Sequence, residues 1–222
     1  MRFAAIETST EWCSVALWAD GEIAGLERRA EHRHSELALP MLERLFENLG
    51  MTAAQLDAVA FGAGPGAFTG LRIACGLAQG LAFARGLPLL GVSTLEAMAQ
   101  ESGASRVVAC LDARMREVYY AALEKSGAGW REVVATRCVA PQLAPAPPGE
   151  GWIGCGNGFA VYPDLLKDSI SSVKSEIHPT AVAVAELAAP RFARGEGVDA
   201  ALAAPAYVRD KVALTQRELE RR

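Results

Sequence analysis

The chain has 222 residues, 51% of them hydrophobic, and a formal net charge of −4; it can bury one large core or two modest ones, and its charge argues against a stand-alone nucleic-acid or anionic-lipid binder. Its five cysteines (Cys13, Cys75, Cys110, Cys138, Cys155) are odd in number, widely spaced and mostly within apolar runs, which suits buried thiols in a reducing cytosol rather than a disulfide framework or a zinc site. The start MRFAAIETST does not read as a signal peptide, because its apolar run ends at Glu7, and the uncharged run 73–84 is too short to span a bilayer, so a soluble, cytoplasmic protein with no membrane partner is expected.

In chain order, RFAAI is a short apolar strand ending at the polar turn ETSTE. WCSVALW alternates, with Cys13, Val15 and Leu17 on one face and Trp12, Ser14, Ala16 and Trp18 on the other. Asp20-Gly21 signals a hairpin into a third strand, EIAGLERR. Ala38, Met41, Leu42, Leu45, Phe46 and Leu49 then fall at helical spacing, with Ser35 as N-cap, Glu36 favouring the first turn and Gly50 as the stop. Pro40 deletes one backbone hydrogen bond, so this helix either kinks there or begins closer to Pro40. Thr52 and Gln55 form a small capping box. The strand DAVAF, a glycine-rich loop, a helix near 69–85, the strand LPLLGV and a short helix from Ser93 or Thr94 follow. An opening meander with later strands added through helices is not the strand-helix-strand start of a Rossmann domain; it is the ribonuclease-H-like order that actin and the sugar kinases duplicate.

The glycine-rich stretch GAGPGAFTGLR, residues 62–72, fails the phosphate-binding templates. A Walker loop needs Lys then Ser or Thr after its last glycine, and here Gly70 is followed by Leu71 and Arg72. It reads instead as a tight turn ending at Thr69 as N-cap, opening a helix that is apolar or small on almost every face, with Gly76 and Gly80 four apart. Such a helix is covered on both sides, either as a central helix under the sheet or by a partner. The seam available to a partner comprises Leu37, Met41, Leu42 and Leu45 of the first helix with Phe68, Thr69, Arg72, Ile73, Gly76, Leu77 and Gly80 of the second.

The second half restarts in the same style. RVVACL and EVYYAAL flank the turn DARMR, in which Asp112, Arg114 and Glu117 read as a salt-bridged turn with Tyr119 and Tyr120 on opposite faces, and WREVVATRCV is the third strand. PQLAPAPPGEG is an exposed loop, GWIGC a buried short strand, and Thr180 caps the helix AVAVAELA, which Pro190 is expected to kink or end. Two strand-rich halves without sequence repeat suggest a degenerate duplication.

IETSTEWCSVALW, HSELALPML, AFGAGPGAFTGLRIACGLAQGLA, PLLGVSTLEAMA, LDARMREVYYAAL, IGCGNG and PAYVRD, in this order, together resemble the bacterial TsaB (YeaZ) family. The resemblance implies an α/β, actin-like ATPase (ASKHA, ribonuclease-H-like) fold of two lobes, each a mixed sheet flanked by helices, divided as 1–103, 104–208 and a tail 209–222 that packs back on the first lobe. It implies a non-catalytic subunit that binds the transferase subunit TsaD, with the ATPase TsaE in the larger complex, for placing a threonylcarbamoyl group on the adenosine beside the anticodon (t6A) of tRNAs reading codons that begin with A. A homodimer is expected in isolation, and tRNA contact only through the complex.

The same resemblance places Glu7, Thr8, Ser9 and Thr10 where actin-like ATPases hold phosphate; relatives mostly carry Asp at Glu7, and often Gly at Arg116. The bland alternative is a polar turn that satisfies its own backbone. No cofactor is expected on the chain alone; ATP or ADP, if bound, is placed at a site shared with the partner. His32 and His34 are two apart, a spacing that lacks the helical metal-binding pair, so no metal and no catalytic residue are expected, and His34 reads as a cap or turn residue. The competing reading is an enzyme in its own right, an ATPase or kinase using ETSTE or an M22-type metallopeptidase.

Overall fold

The computed structural model describes residues 1–209, so the expectation for residues 210–222 of the tail lies outside the described residues. Strands β1 (Arg2–Glu7), β2 (Trp12–Ala19) and β3 (Glu22–Arg29) form the expected antiparallel meander, and β4 (Ala58–Gly64) and β5 (Leu89–Ser93) extend it in parallel, in the order β3-β2-β1-β4-β5. Strands β6 (Arg106–Arg114), β7 (Glu117–Ser126), β8 (Gly129–Val139), β9 (Ile153–Cys155) and β10 (Ser172–Lys174) repeat that topology as β8-β7-β6-β9-β10, antiparallel on one side of β6 and parallel on the other. The duplication is therefore visible in strand order although not in sequence. Two mixed sheets flanked by helices are the actin-like arrangement.

The alternation of β2 sorts as its pattern requires. Cys13, Val15 and Leu17 enter the core beneath helix α1 (His34–Asn48), whereas Ala16 and Trp18 face helix α5 (Ala181–Ala193), which follows the one-turn helix α4 (Gly158–Val161), on the opposite side of the sheet. Phe3 and Ala5 of β1 likewise face α5, while Ala4 and Ile6 face α1 and helix α2 (Phe68–Phe83).

The first two helices start away from their expected caps. Helix α1 starts at His34, with Arg33 rather than Ser35 at its cap, and runs through Pro40 to Asn48. Pro40 is exposed, so the carbonyl of Glu36 that loses its helical donor lies where water can serve it. Helix α2 starts at Phe68 with Ala67 at the cap, because the Ala67 N–H is pinned to the Ser9 carbonyl at 2.7 Å, and Thr69 lies within the helix. Pro190 does not end α5, which continues to Ala193 and is capped as expected by Thr180. Finally, helices from each half contribute to the core of the other. Helix α3 (Thr94–Ser102) sets Leu95, Met98 and Ala99 into the second sheet's core, and α5, from the second half, closes the first sheet's core with Val184, Ala188 and Phe192.

Candidate docking helix and interlobe cleft

The glycine loop between β4 and α2 makes room for the β1–β2 turn. A Cβ at Gly62 would lie 1.8 Å from Glu7 Oε2, one at Gly66 2.5 Å from the Ser9 carbonyl oxygen, and one at Gly70 1.9 Å from the Thr8 carbonyl oxygen. The turn is thereby pressed into the loop: Glu7, Thr8 and Ser9 are 1%, 0% and 2% exposed. Several of its hydrogen-bonding groups are engaged inside the chain. Thr8 Oγ1 donates to the Gly70 carbonyl (2.7 Å), the Ser9 N–H donates to Glu7 Oε1 (2.5 Å), and Thr10 Oγ1 accepts from the Trp12 N–H (3.3 Å). His34 Nε2–H donates to the Thr10 carbonyl at 2.8 Å, fixing the start of α1 to the turn. Burial pushes the Glu7 carboxyl above the usual carboxylate range, against the opposing pull of hydrogen bonds from Ser9 and Thr8. Glu7 Oε2 and Ser9 Oγ have no partner among the described residues. The four residues expected at a phosphate hairpin thus come together in one buried turn, with the Thr8 hydroxyl and the Ser9 N–H bonded within the chain and Glu7 Oε2 and Ser9 Oγ left without a partner among the described residues.

The expected seam divides into two classes. Met41, Leu42 and Leu45 are 6%, 1% and 3% exposed and pack under the first sheet, so they belong to the chain's own core; a side chain buried to that extent gives up about 1.5–3 kcal/mol if it is returned to water. Leu37 and Leu77 are half-buried against the same cluster. On α2, Leu71, Ala74, Cys75, Ala78 and Ala82 face the sheet, whereas Phe68, Thr69, Arg72, Gly76 and Gly80 are exposed and Ile73 is half-buried beside them. A Cβ at Gly76 or Gly80 would meet nothing within 4 Å. Among the described residues nothing fills the notch, and it opens outward. Of the two covers considered for this helix, its own sheet takes one face only.

A cleft of about 520 Å³ lies between the lobes, bounded by the β1–β2 turn, the glycine loop, the β6–β7 hairpin and the segment 206–209. The hairpin carries Asp112 in contact with Arg114 (3.4 Å), as expected, and three consecutive left-handed residues, Arg114, Met115 and Arg116 (φ 62°, 54° and 62°). A left-handed backbone of this kind is one that glycine adopts without strain, so Arg116 is held there by the hairpin. Tyr120 is buried and its hydroxyl donates to the Pro145 carbonyl (2.6 Å), while Tyr119 lines the cleft. Glu117 does not join the turn; its Oε2 accepts from Arg209 Nη2 at 2.7 Å.

That last contact belongs to a strap the sequence reading missed. Residue 206 donates its N–H to the Ala63 carbonyl (2.7 Å), Tyr207 sits against Phe68 (centroids 5.6 Å) and accepts a bond from Arg72 Nε (3.1 Å), and Arg209 reaches the Ala113 carbonyl (2.8 Å) and Glu117 on the second sheet. Nothing within the stretch PAYVRD signals which distant groups it meets. Among the described residues no three His, Cys, Asp or Glu side chains cluster as metal ligands, and no helix is long and apolar enough to cross a membrane.

A family model described as TsaD: tRNA N6-adenosine threonylcarbamoyltransferase matches residues 27–216. The chain is 38% identical to the tRNA threonylcarbamoyladenosine biosynthesis protein TsaB of Escherichia coli, covering 96% of each, and 36% identical to the protein of that name from Haemophilus influenzae, covering 94% of this chain and 93% of the relative. Among solved structures it is similar to YeaZ from Pseudomonas aeruginosa, with a TM-score of 0.87, 38% identity, and 93% and 99% of the two chains covered. A second Pseudomonas aeruginosa structure, described as an uncharacterized protein with similarity to peptidase YEAZ, superposes with a TM-score of 0.89 at 38% identity, covering 94% and 99%. With sequence and two-lobed backbone both matched over nearly the full length, the chain belongs to the TsaB (YeaZ) family.

Proposed function

We propose that this chain is the non-catalytic, activating subunit of the t6A machinery: it binds and stabilises TsaD in the cytoplasm, so that the adenosine beside the anticodon of tRNAs reading A-initial codons is threonylcarbamoylated. The observation that carries the reading is the outward face of α2, where Gly76 and Gly80 leave an open notch flanked by Phe68 and Ile73. Two small residues one turn apart let another helix approach closely, and exposed apolar groups beside them gain from being covered. TsaE joins this assembly as a further partner, tRNA is reached through the complex, and the same face forms a homodimer when TsaD is absent.

The internal bonds of the β1–β2 turn support a role without chemistry of its own. A nucleotide bound by this chain alone would have to displace Thr8 from the Gly70 carbonyl and Ser9 from Glu7, and would meet a carboxyl already desolvated. ATP or ADP is therefore assigned to a site shared with TsaD. Neither the ATPase reading nor the peptidase reading is favoured by the groups present. The test is co-purification with TsaD followed by the tRNA modification assay with and without this chain. Wild-type chain should restore modification and Gly76→Arg should not; modification that proceeds equally without the chain overturns the proposal.

A further inference from the structure

We infer that docking on α2 and closure of the interlobe cleft are coupled through the strap at residues 206–209, with Tyr207 and Arg209 as positioning residues. The inference rests on the reading of α2 as a docking face. Arg72 and Phe68 stand on the exposed side of that helix and hold each other, the guanidinium lying 3.8 Å from the Phe68 ring centroid. Both also hold Tyr207: Phe68 by ring contact and Arg72 by its Nε–H bond to the hydroxyl. Two residues later Arg209 is bound to the other sheet, through Glu117 Oε2 and the Ala113 carbonyl. Just before Tyr207, the Ala206 N–H bond to the Ala63 carbonyl pins the start of the strap to the edge of the glycine loop. A short, doubly anchored segment cannot let one anchor move without straining the other.

The sign of the coupling follows from this geometry. A helical partner lying along the notch covers Phe68 and Arg72 and holds them where they stand. Their grip on Tyr207 is then reinforced, the strap stays seated, and Arg209 keeps its hold on the β6–β7 hairpin that lines the cleft. By reciprocity, a seated strap favours docking, and releasing it at the far lobe weakens docking by the same factor. Glu117 lies on β7, in the second sheet, so its influence on α2 has to pass through Arg209 and the strap.

The test uses the full chain, with TsaD as the partner, and two readouts. In the chain alone, Glu117→Ala should speed amide hydrogen exchange in the strap segment 203–209 while leaving β1 and β2 unchanged; Glu117 is partly exposed, so its removal should not prevent folding. In the complex, the wild-type hairpin 112–117 should gain protection when TsaD binds, and Glu117→Ala should weaken TsaD affinity on the order of 5-fold. Tyr207→Phe, which deletes only the hydroxyl, should move affinity in the same direction. Binding that is lost in Gly76→Arg but indifferent to Glu117→Ala, with no protection of the hairpin, overturns the coupling alone. Binding that survives Gly76→Arg overturns the docking reading and the coupling with it, and the exchange measurement on the isolated chain tells the two failures apart.

Discussion

Gly62 occupies the one position on β4 where a side chain would overlap the carboxylate of Glu7: a Cβ built there falls 1.8 Å from Oε2 and 2.5 Å from Cδ. The buried acid and the missing side chain are complementary halves of one packing arrangement. Gly62→Ala is therefore expected to destabilise the chain by about 1–3 kcal/mol, the usual range for overpacking, and Glu7→Ala in the same chain should recover part of that loss. A double-mutant cycle in urea, read from the unfolding midpoints, gives the answer; strict additivity would show that the two residues do not compete for the same space.

Glu7 also leads to a pH dependence with a definite sign. Its folded pKa is raised above the ordinary value of 4.5 by burial, so the stability it contributes is fully present below that value and is lost as pH rises through the folded pKa. Glu7→Gln should match wild type near pH 4 and become progressively the more stable of the two towards neutrality. The measurement is the difference in urea midpoint between the two proteins across that range. A difference that stays flat would mean that the carboxyl titrates as it does in the unfolded chain.

The two helices of the expected seam should answer mutation in opposite ways. Gly80 is exposed within α2 with open space around its Cβ position, so Gly80→Ala should stabilise the isolated chain by roughly 0.5–1 kcal/mol through helix propensity while weakening TsaD binding by filling the notch. Leu45→Ala, at 3% exposure, should instead cost about 2–5 kcal/mol and lower binding only through loss of folded protein. Thermal melts and a binding titration on each variant separate the two cases.

Thiol chemistry provides a fold check. Cys13, Cys75, Cys110 and Cys155 are buried and only Cys138 is half-buried. Burial pushes the Cys13 thiol to about 11 and that of Cys155 to about 12. A disulfide exchange reagent should thus modify Cys138 alone in the native state and all five thiols in denaturant. Rapid native reaction of a second thiol would contradict the burial described here.

Local rules carried the reading far in some places and stopped in others. The period-two alternation of β2 identified both of its faces, because a strand between two helical layers leaves no other way to place Cys13, Val15 and Leu17. The missing lysine sets the glycine loop apart from a Walker loop, yet its packing role is invisible in the sequence: Gly62, Gly66 and Gly70 answer to Glu7, Ser9 and Thr8, roughly sixty residues earlier. Apolar spacing marked α1 and α2 as amphipathic or buried but could not say which side faces the chain's own sheet, and so Met41, Leu42 and Leu45 were assigned to a partner. Caps failed at Ser35 and Thr69 for a related reason. The helix starts are set by tertiary bonds from His34 to Thr10 and from Ala67 to Ser9, which outweigh a local side-chain cap. The strap was unreadable because Arg209 and Glu117 share no local pattern.

The exchange of helices between the two sheets has a consequence during synthesis. On the ribosome the first sheet is completed once β5 has emerged, yet the face bearing Phe3, Ala5, Ala58 and Ala60 stays bare until α5 follows, after the whole second sheet. The N-terminal lobe therefore cannot finish its core while the chain is being made and must wait, apolar side open, for nearly the last segment to leave the exit tunnel. Nascent chains arrested before residue 181 should be chaperone clients, and those arrested far enough beyond residue 193 for α5 to clear the tunnel should not.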